Sequence, residues 1–120
     1  MMFELVLIPS SSSHGERRAM IRYYILDAGN QPVRERDPIA WARWMHQTNR
    51  AVARTQVGKL NVSTIFLGLD HRFLDDGPPI LFETMVFGSD DDMMRRYCTW
   101  DDAEAGHNVL VKQLRARVKT

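Results

Sequence analysis

Residues 60–88, LNVSTIFLGLDHRFLDDGPPILFETMVFG, constrain the fold more than any other part of the chain. They hold two near-continuous apolar runs. Val62, Thr64, Ile65, Phe66, Leu67 and Leu69 form the first, and Ile80, Leu81, Phe82, Met85, Val86 and Phe87 the second. Both are rich in β-branched and aromatic side chains, which fit a pleated surface, and both have the length of a strand rather than a helix. The acidic loop between them carries Gly77, Pro78 and Pro79, and proline cannot donate to a ladder, so the second strand begins after it. Neither run alternates cleanly, so both strands are expected to be covered on both faces.

The neighbouring segments build outward from this pair. AVARTQV, residues 51–57, alternates as a half-exposed strand, and Gly58-Lys59 then turns it into the first central strand as a hairpin. RYYILD reads as an earlier strand; AGNQ turns the chain and PVRE returns it. Asp37 and Pro38 mark a helix start, after which Trp41, Trp44, Met45 and Thr48 share one face and read as core packing. SDDDMMRR reads as a solvated charged loop, because its three aspartates lack the alternating ligand spacing of a calcium loop, and RYC as a short strand.

Thr99 caps a last helix expected to reach about residue 117, with Asp101 and Asp102 at its positive end. Its apolar stripe is Ala103, His107, Leu110, Leu114 and Val118; Gly106 weakens the helix and so implies a close approach to a strand or partner. The fold class is α+β, a mainly antiparallel sheet of about four to six strands packed with two helices. Residues 20–120 read as one domain, and residues 1–19, with an edge strand at 2–8 and the serine run 10–13, as an extension that is flexible in part.

Composition excludes several classes. The longest apolar runs fall short of the roughly 20 residues that span a bilayer, so no membrane association is expected. Net charge is +1, split as +4 over residues 1–60 and −3 over residues 61–120, which is no basic stripe for nucleic acid. Arg17, Arg18, Arg22, Arg34, Arg36, Arg43 and Arg54 are scattered over different elements, leaving at most a weak nucleic-acid binder. Cys98, the single cysteine, fits a reducing compartment and reads as a small buried side chain. No phosphate loop, zinc spacing or dinucleotide fingerprint is present, so no cofactor or metal is expected.

Two polar residues break the apolar pattern. Glu83 shares a strand face with Leu81, Met85 and Phe87, and His107 lies in the stripe of the last helix. Burying either without a partner is costly, so each is expected to partner the other, joined by Asp70 or His71 from the loop mouth. As chemistry, Asp70, His71, Glu83 and His107 would serve as a divalent-metal set or a general acid and base. The plainer account is a structural network that orients helix on sheet.

The strings RYYILD, WARWM, VSTIFLGLDH, PPILFETMVFG and RYCTWDDAEAGH, in that order, resemble a family of small uncharacterised proteins encoded by bacteriophages and prophages. The resemblance covers most of residues 20–107. The loop LDHRFLDDGPP departs from the family's more glycine-rich version. The resemblance implies a phage origin and the cytoplasm of a bacterial host, and it carries no activity. The leading expectation is therefore a noncatalytic phage accessory protein that binds a host or defence protein or associates with itself. A small metal-dependent or acid-base enzyme using Glu83 and His107 is the second, and a weak nucleic-acid binder the third.

Overall fold

The computed structural model describes residues 21–72, 77–89 and 93–118. The expected strand at 2–8, the serine run, Asp75, Asp76, the three aspartates 90–92 and the side chain of Val118 lie outside them. Two antiparallel sheets and two helices make an α+β fold, as expected. A hairpin of β1 (Tyr23–Leu26) and β2 (Pro32–Glu35) is followed by α1 (Pro38–Gln47). The larger sheet has the order β3 (Ala51–Val57), β4 (Leu60–Phe66), β5 (Phe82–Phe87), β6 (Met93–Tyr97), and α2 (Trp100–Val118) lies across it.

Local chemistry accounts for the turns and caps. The Asp27 carboxylate accepts from the amides of Gly29 at 2.8 Å and Gln31 at 2.9 Å, which closes the β1–β2 turn around Asn30 at φ 62°. Asp37 accepts from the Ile39 amide at 3.0 Å with Pro38 at the first helical position, and Thr99 Oγ1 accepts from the Asp102 amide at 3.0 Å. Gly58, at φ 60°, opens the two-residue link between Val57 and Leu60, a conformation that glycine adopts without steric cost.

Residues alternate across each strand, so one face of the sheet collects Val57, Val62, Thr64, Phe66, Phe82, Thr84 and Val86, all buried. Helix α2 covers that face with Ala103, His107, Leu110, Val111 and Leu114. The core has two parts. Val57, Val62, Val86, Leu110, Val111 and Leu114 pack at one end, while Phe66, Leu81, Phe82 and Ala103 pack at the other, where Trp44 and Trp100 meet their rings edge-on. Helix α1 is half-buried; Trp41 Nε1 donates to the Gly68 carbonyl at 3.1 Å and its ring lies 4.7 Å from that of Tyr23, so both tryptophans serve packing.

Two expectations fail. Among the described residues no helix or strand packs on the second face of the four-stranded sheet, so α2 covers β4 and β5 on one side and the other side is only half-buried. The apolar runs look two-sided because Thr64 and Thr84 occupy the inner face while Ile65, Met85 and Phe87 occupy the outer one. Part of the charged segment SDDDMMRR is also a strand: Met93, Met94, Arg95 and Arg96 pair with Val86, Met85, Thr84 and Glu83. An edge strand tolerates arginine because its side chains reach solvent.

Candidate functional site

Three of the buried polar residues, Thr64, Thr84 and His107, join Thr55 and Tyr97 in a single chain of hydrogen bonds. His107, 1% exposed, places Nε2 2.8 Å from Thr55 Oγ1 and Nδ1 2.8 Å from Thr64 Oγ1. Thr64 Oγ1 lies 2.5 Å from Thr84 Oγ1, and the Thr84 hydroxyl donates to Tyr97 Oη at 3.2 Å. One proton arrangement satisfies every member. With Thr84 donating to Tyr97, Thr84 must accept from Thr64, so Thr64 accepts from Nδ1–H and Thr55 donates to Nε2. The imidazole is therefore neutral with its proton on Nδ1, and burial, which lowers its pKa from the ordinary 6.5, favours that state.

This network ties α2 to β3, β4, β5 and β6 at once, and Gly106 makes it possible. A Cβ at residue 106 would stand 2.3 Å from Tyr97 Cε1 and 2.5 Å from its Oη, so only glycine lets the tyrosine pass under the helix. The sequence cue for a close approach at Gly106 is thus correct, and the strand approached is β6.

Asp70, His71 and Glu83 lie elsewhere. Asp70, 4% exposed, accepts through Oδ1 from the amides of Arg72 at 2.8 Å and Ile80 at 3.0 Å, and its Oδ2 is 3.8 Å from Arg22 Nη1. It pins the base of the loop that joins β4 to β5. Removing these acceptors strands two backbone donors, so Asp70→Ala is expected to cost about 1–3 kcal/mol by denaturant unfolding. Next to it, His71 has its pKa lowered by burial and then by the Arg96 charge, against the raising influence of Glu83 and Asp70.

Glu83 points to the uncovered face and accepts from Arg96 Nε at 3.0 Å. The expected Glu83–His107 pair therefore does not form. Strand alternation sends Glu83 to the face opposite α2, while His107 meets the cross-strand pair beside it: Thr64 directly, and Thr84 through Thr64. Among the described residues no three His, Cys, Asp or Glu side chains gather as a metal-holding group. Cys98 is half-buried rather than buried, two residues before the last helix, with Sγ 3.8 Å from the Pro78 carbonyl that also accepts from Arg72.

The uncovered face is the other feature a ligand would meet. Across β3 to β6 it presents the row Arg54, Ser63, Met85, Met94, flanked by Ile65, Glu83 and Arg96 on one side and by Gln56, Asn61 and Phe87 on the other. Phe87 is 51% and Met94 50% exposed. No sequence signal for this face was available, since it depends on which parity of each strand faces α2.

Fold and site define a small α+β protein whose four-stranded antiparallel sheet packs α2 on one face, with an internal threonine–histidine–tyrosine network and an outer sheet face that mixes apolar and charged side chains. Compared with family models, curated proteins and solved structures, the chain matches none. No helix among the described residues is long and apolar enough to cross a membrane.

Proposed function

We propose that the chain is a noncatalytic accessory protein of phage origin that acts by binding a protein, a host or defence factor, on the uncovered face of its four-stranded sheet. The observation that carries this reading is the exposure of Phe87 and Met94 beside Met85 and Ile65 on one face of a regular ladder. Apolar side chains grouped on one sheet face, rimmed by polar ones, are the arrangement of protein contact sites. The rim suggests the partner's chemistry. Arg54 borders the apolar side chains, while Arg96 and Glu83 pair with each other, so an apolar patch bearing an acidic group opposite Arg54 would complement it. The family resemblance supports the phage origin and the cytoplasm of a bacterial host as the setting.

The alternative use of Glu83 and His107 as an acid–base pair draws no support from their positions on opposite faces. The polar groups around His107 are mutually satisfied.

The test is a comparison between wild type and Met94→Glu, which changes an exposed edge position. Wild type is expected to retain a defined host protein that rebinds when purified, and the variant to bind it at least about tenfold more weakly, as placing a charge within an apolar contact does. Equal binding by the variant, or no host protein that rebinds after purification, contradicts the reading.

A further inference from the structure

We propose that two copies of the chain join edge to edge through β3, making a continuous eight-stranded sheet with the two α2 helices packed antiparallel across a two-fold axis. The contact goes beyond the binding face above and uses a different surface. Strand β3 is an outer strand of the larger sheet. Its two-residue turn makes Val57 and Leu60 a hydrogen-bonded pair, so Thr55 and Val57 direct their backbone groups to β4 while Arg54 and Gln56 direct theirs outward. Among the described residues no backbone group bonds the outward amides and carbonyls of Arg54 and Gln56. Between Ala53 and Val57 there is no proline or lysine of the kind that blunts an edge; Arg54 is the one charge, and the ladder irregularity between Ala51 and Ala53 lies before this stretch.

The register follows from side-chain chemistry. A two-fold axis at Thr55 sets Arg54 opposite the partner's Gln56, Ala53 opposite the partner's Val57, and the two Thr55 residues opposite each other. Shifting the axis to residue 54 would oppose two guanidinium groups across the pair, which is unfavourable.

Helix α2 independently selects the same axis. His107 reaches Thr55 on β3 and Thr64 on β4, each at 2.8 Å, so the middle of the helix passes between these strands. With strands about 4.8 Å apart, the helix there stands about 5 Å from the edge axis, which puts it about 10 Å from its symmetry mate. That matches the 8–10 Å spacing of packed helices.

One flank of α2 faces β6, because Gly106 meets Tyr97 and Gln113 Oε1 accepts from Arg95 at 3.5 Å. At 100° per residue the flank toward the β3 edge therefore carries Asp101, Glu104, Asn108 and Arg115, all exposed, with Lys112 beside them. Along the helix the order is acid, acid, amide, base, base. A two-fold axis near Asn108 reverses one helix against the other, bringing Glu104 to the partner's Lys112 and Asp101 to the partner's Arg115. A shallow depression along Asn108, Val111, Lys112, Arg115 and Ala116 leaves room for those side chains. A second copy is thus complementary to this flank in charge, spacing and direction, as an isologous contact requires.

Sedimentation of the full chain over a concentration series tests this, with four variants. Wild type is expected to form a species of twice the chain's mass. Gln56→Pro, which removes an outward amide and no internal ladder bond, is expected to shift the monomer–dimer equilibrium at least about tenfold toward monomer. Arg115→Glu should weaken the dimer too, and Asp101→Arg added to it should restore it, a rescue that a misfolded variant cannot show. In a Cys98→Ser background, Thr55→Cys should cross-link to itself on mild oxidation, since the facing residues form a non-hydrogen-bonded pair. A monomer at every concentration overturns the proposal, as does a dimer insensitive to Gln56→Pro that gives no Thr55→Cys cross-link. A dimer lost through Met94→Glu alone would move the contact to the uncovered face, overturning the edge contact while leaving protein binding intact.

Discussion

Gly106→Val is expected to destabilise the fold by about 3 kcal/mol or more, although replacing a mid-helix glycine ordinarily stabilises a helix. The added carbon would fall within 2.3–2.6 Å of three atoms of the Tyr97 ring, well inside contact distance. Tyr97 cannot step aside without giving up the hydrogen bond from Thr84 and its packing beside Phe82. Even Gly106→Ala should lower the unfolding midpoint, so the measured sign alone separates close packing from propensity. Tyr97→Ala should reverse that sign: with the ring gone, Gly106→Ala in the same chain is expected to stabilise by up to about 1 kcal/mol. Stabilisation by Gly106→Ala in the wild-type background would mean that α2 does not lie on Tyr97.

His107→Ala carries the second large effect, about 3–4 kcal/mol, because it opens a cavity and leaves the hydroxyls of Thr55 and Thr64 without their partner. The pH dependence has a definite sign. Burial lowers the folded-state pKa of His107 below the ordinary 6.5, so the unfolded chain takes up the proton first. Its contribution to stability is whole above about pH 6.5 and falls away as the pH drops from there through the lower folded-state pKa. His71 is also lowered and acts in the same direction, chiefly through burial and then Arg96. Chemical denaturation of wild type between pH 5 and pH 7.5 should therefore show stability falling toward acid, with His107→Gln flattening the profile more than His71→Gln does. An unchanged profile in His107→Gln would place the proton uptake elsewhere.

Much of the architecture is legible in the chain because its punctuation is local. Asp37-Pro38, Gly58-Lys59 and Thr99 mark element boundaries through side-chain hydrogen bonds or glycine conformations that act within a few residues, and the structure places each where expected. The stripe of α2 is equally direct, since Ala103, His107, Leu110 and Leu114 recur at helical spacing and all are buried. Strand β6 is legible only at its end, where RYC covers Arg96 and Tyr97; Met93 to Arg95 read as solvated loop, since an edge strand with one wet side needs no apolar run.

The candidate site is less legible, and the reason is strand parity. In FETMVF the polar Thr84 faces the core and the apolar Met85 and Phe87 face outward, so hydrophobicity assigns Glu83 to the wrong side. Once Thr64 and Thr84 are known to be opposite each other, His107 has its partners and Glu83 is left to Arg96. A sequence signal was present in the two threonines, each flanked by apolar residues in paired strands, but its meaning depends on the register. Asp70 is buried as well, but it holds the backbone of its own loop and joins neither Glu83 nor His107.

The claim that the uncovered sheet face is where protein binds is tested most directly by hydroxyl-radical footprinting of the chain alone and in complex with its purified host partner. Met85, Phe87 and Met94 are expected to oxidise readily in the isolated chain and to be protected in the complex, while Val109, 50% exposed on α2 away from that face, stays equally reactive in both. Unchanged oxidation of Met85, Phe87 and Met94 in the complex, with protection appearing on other surfaces, would contradict it.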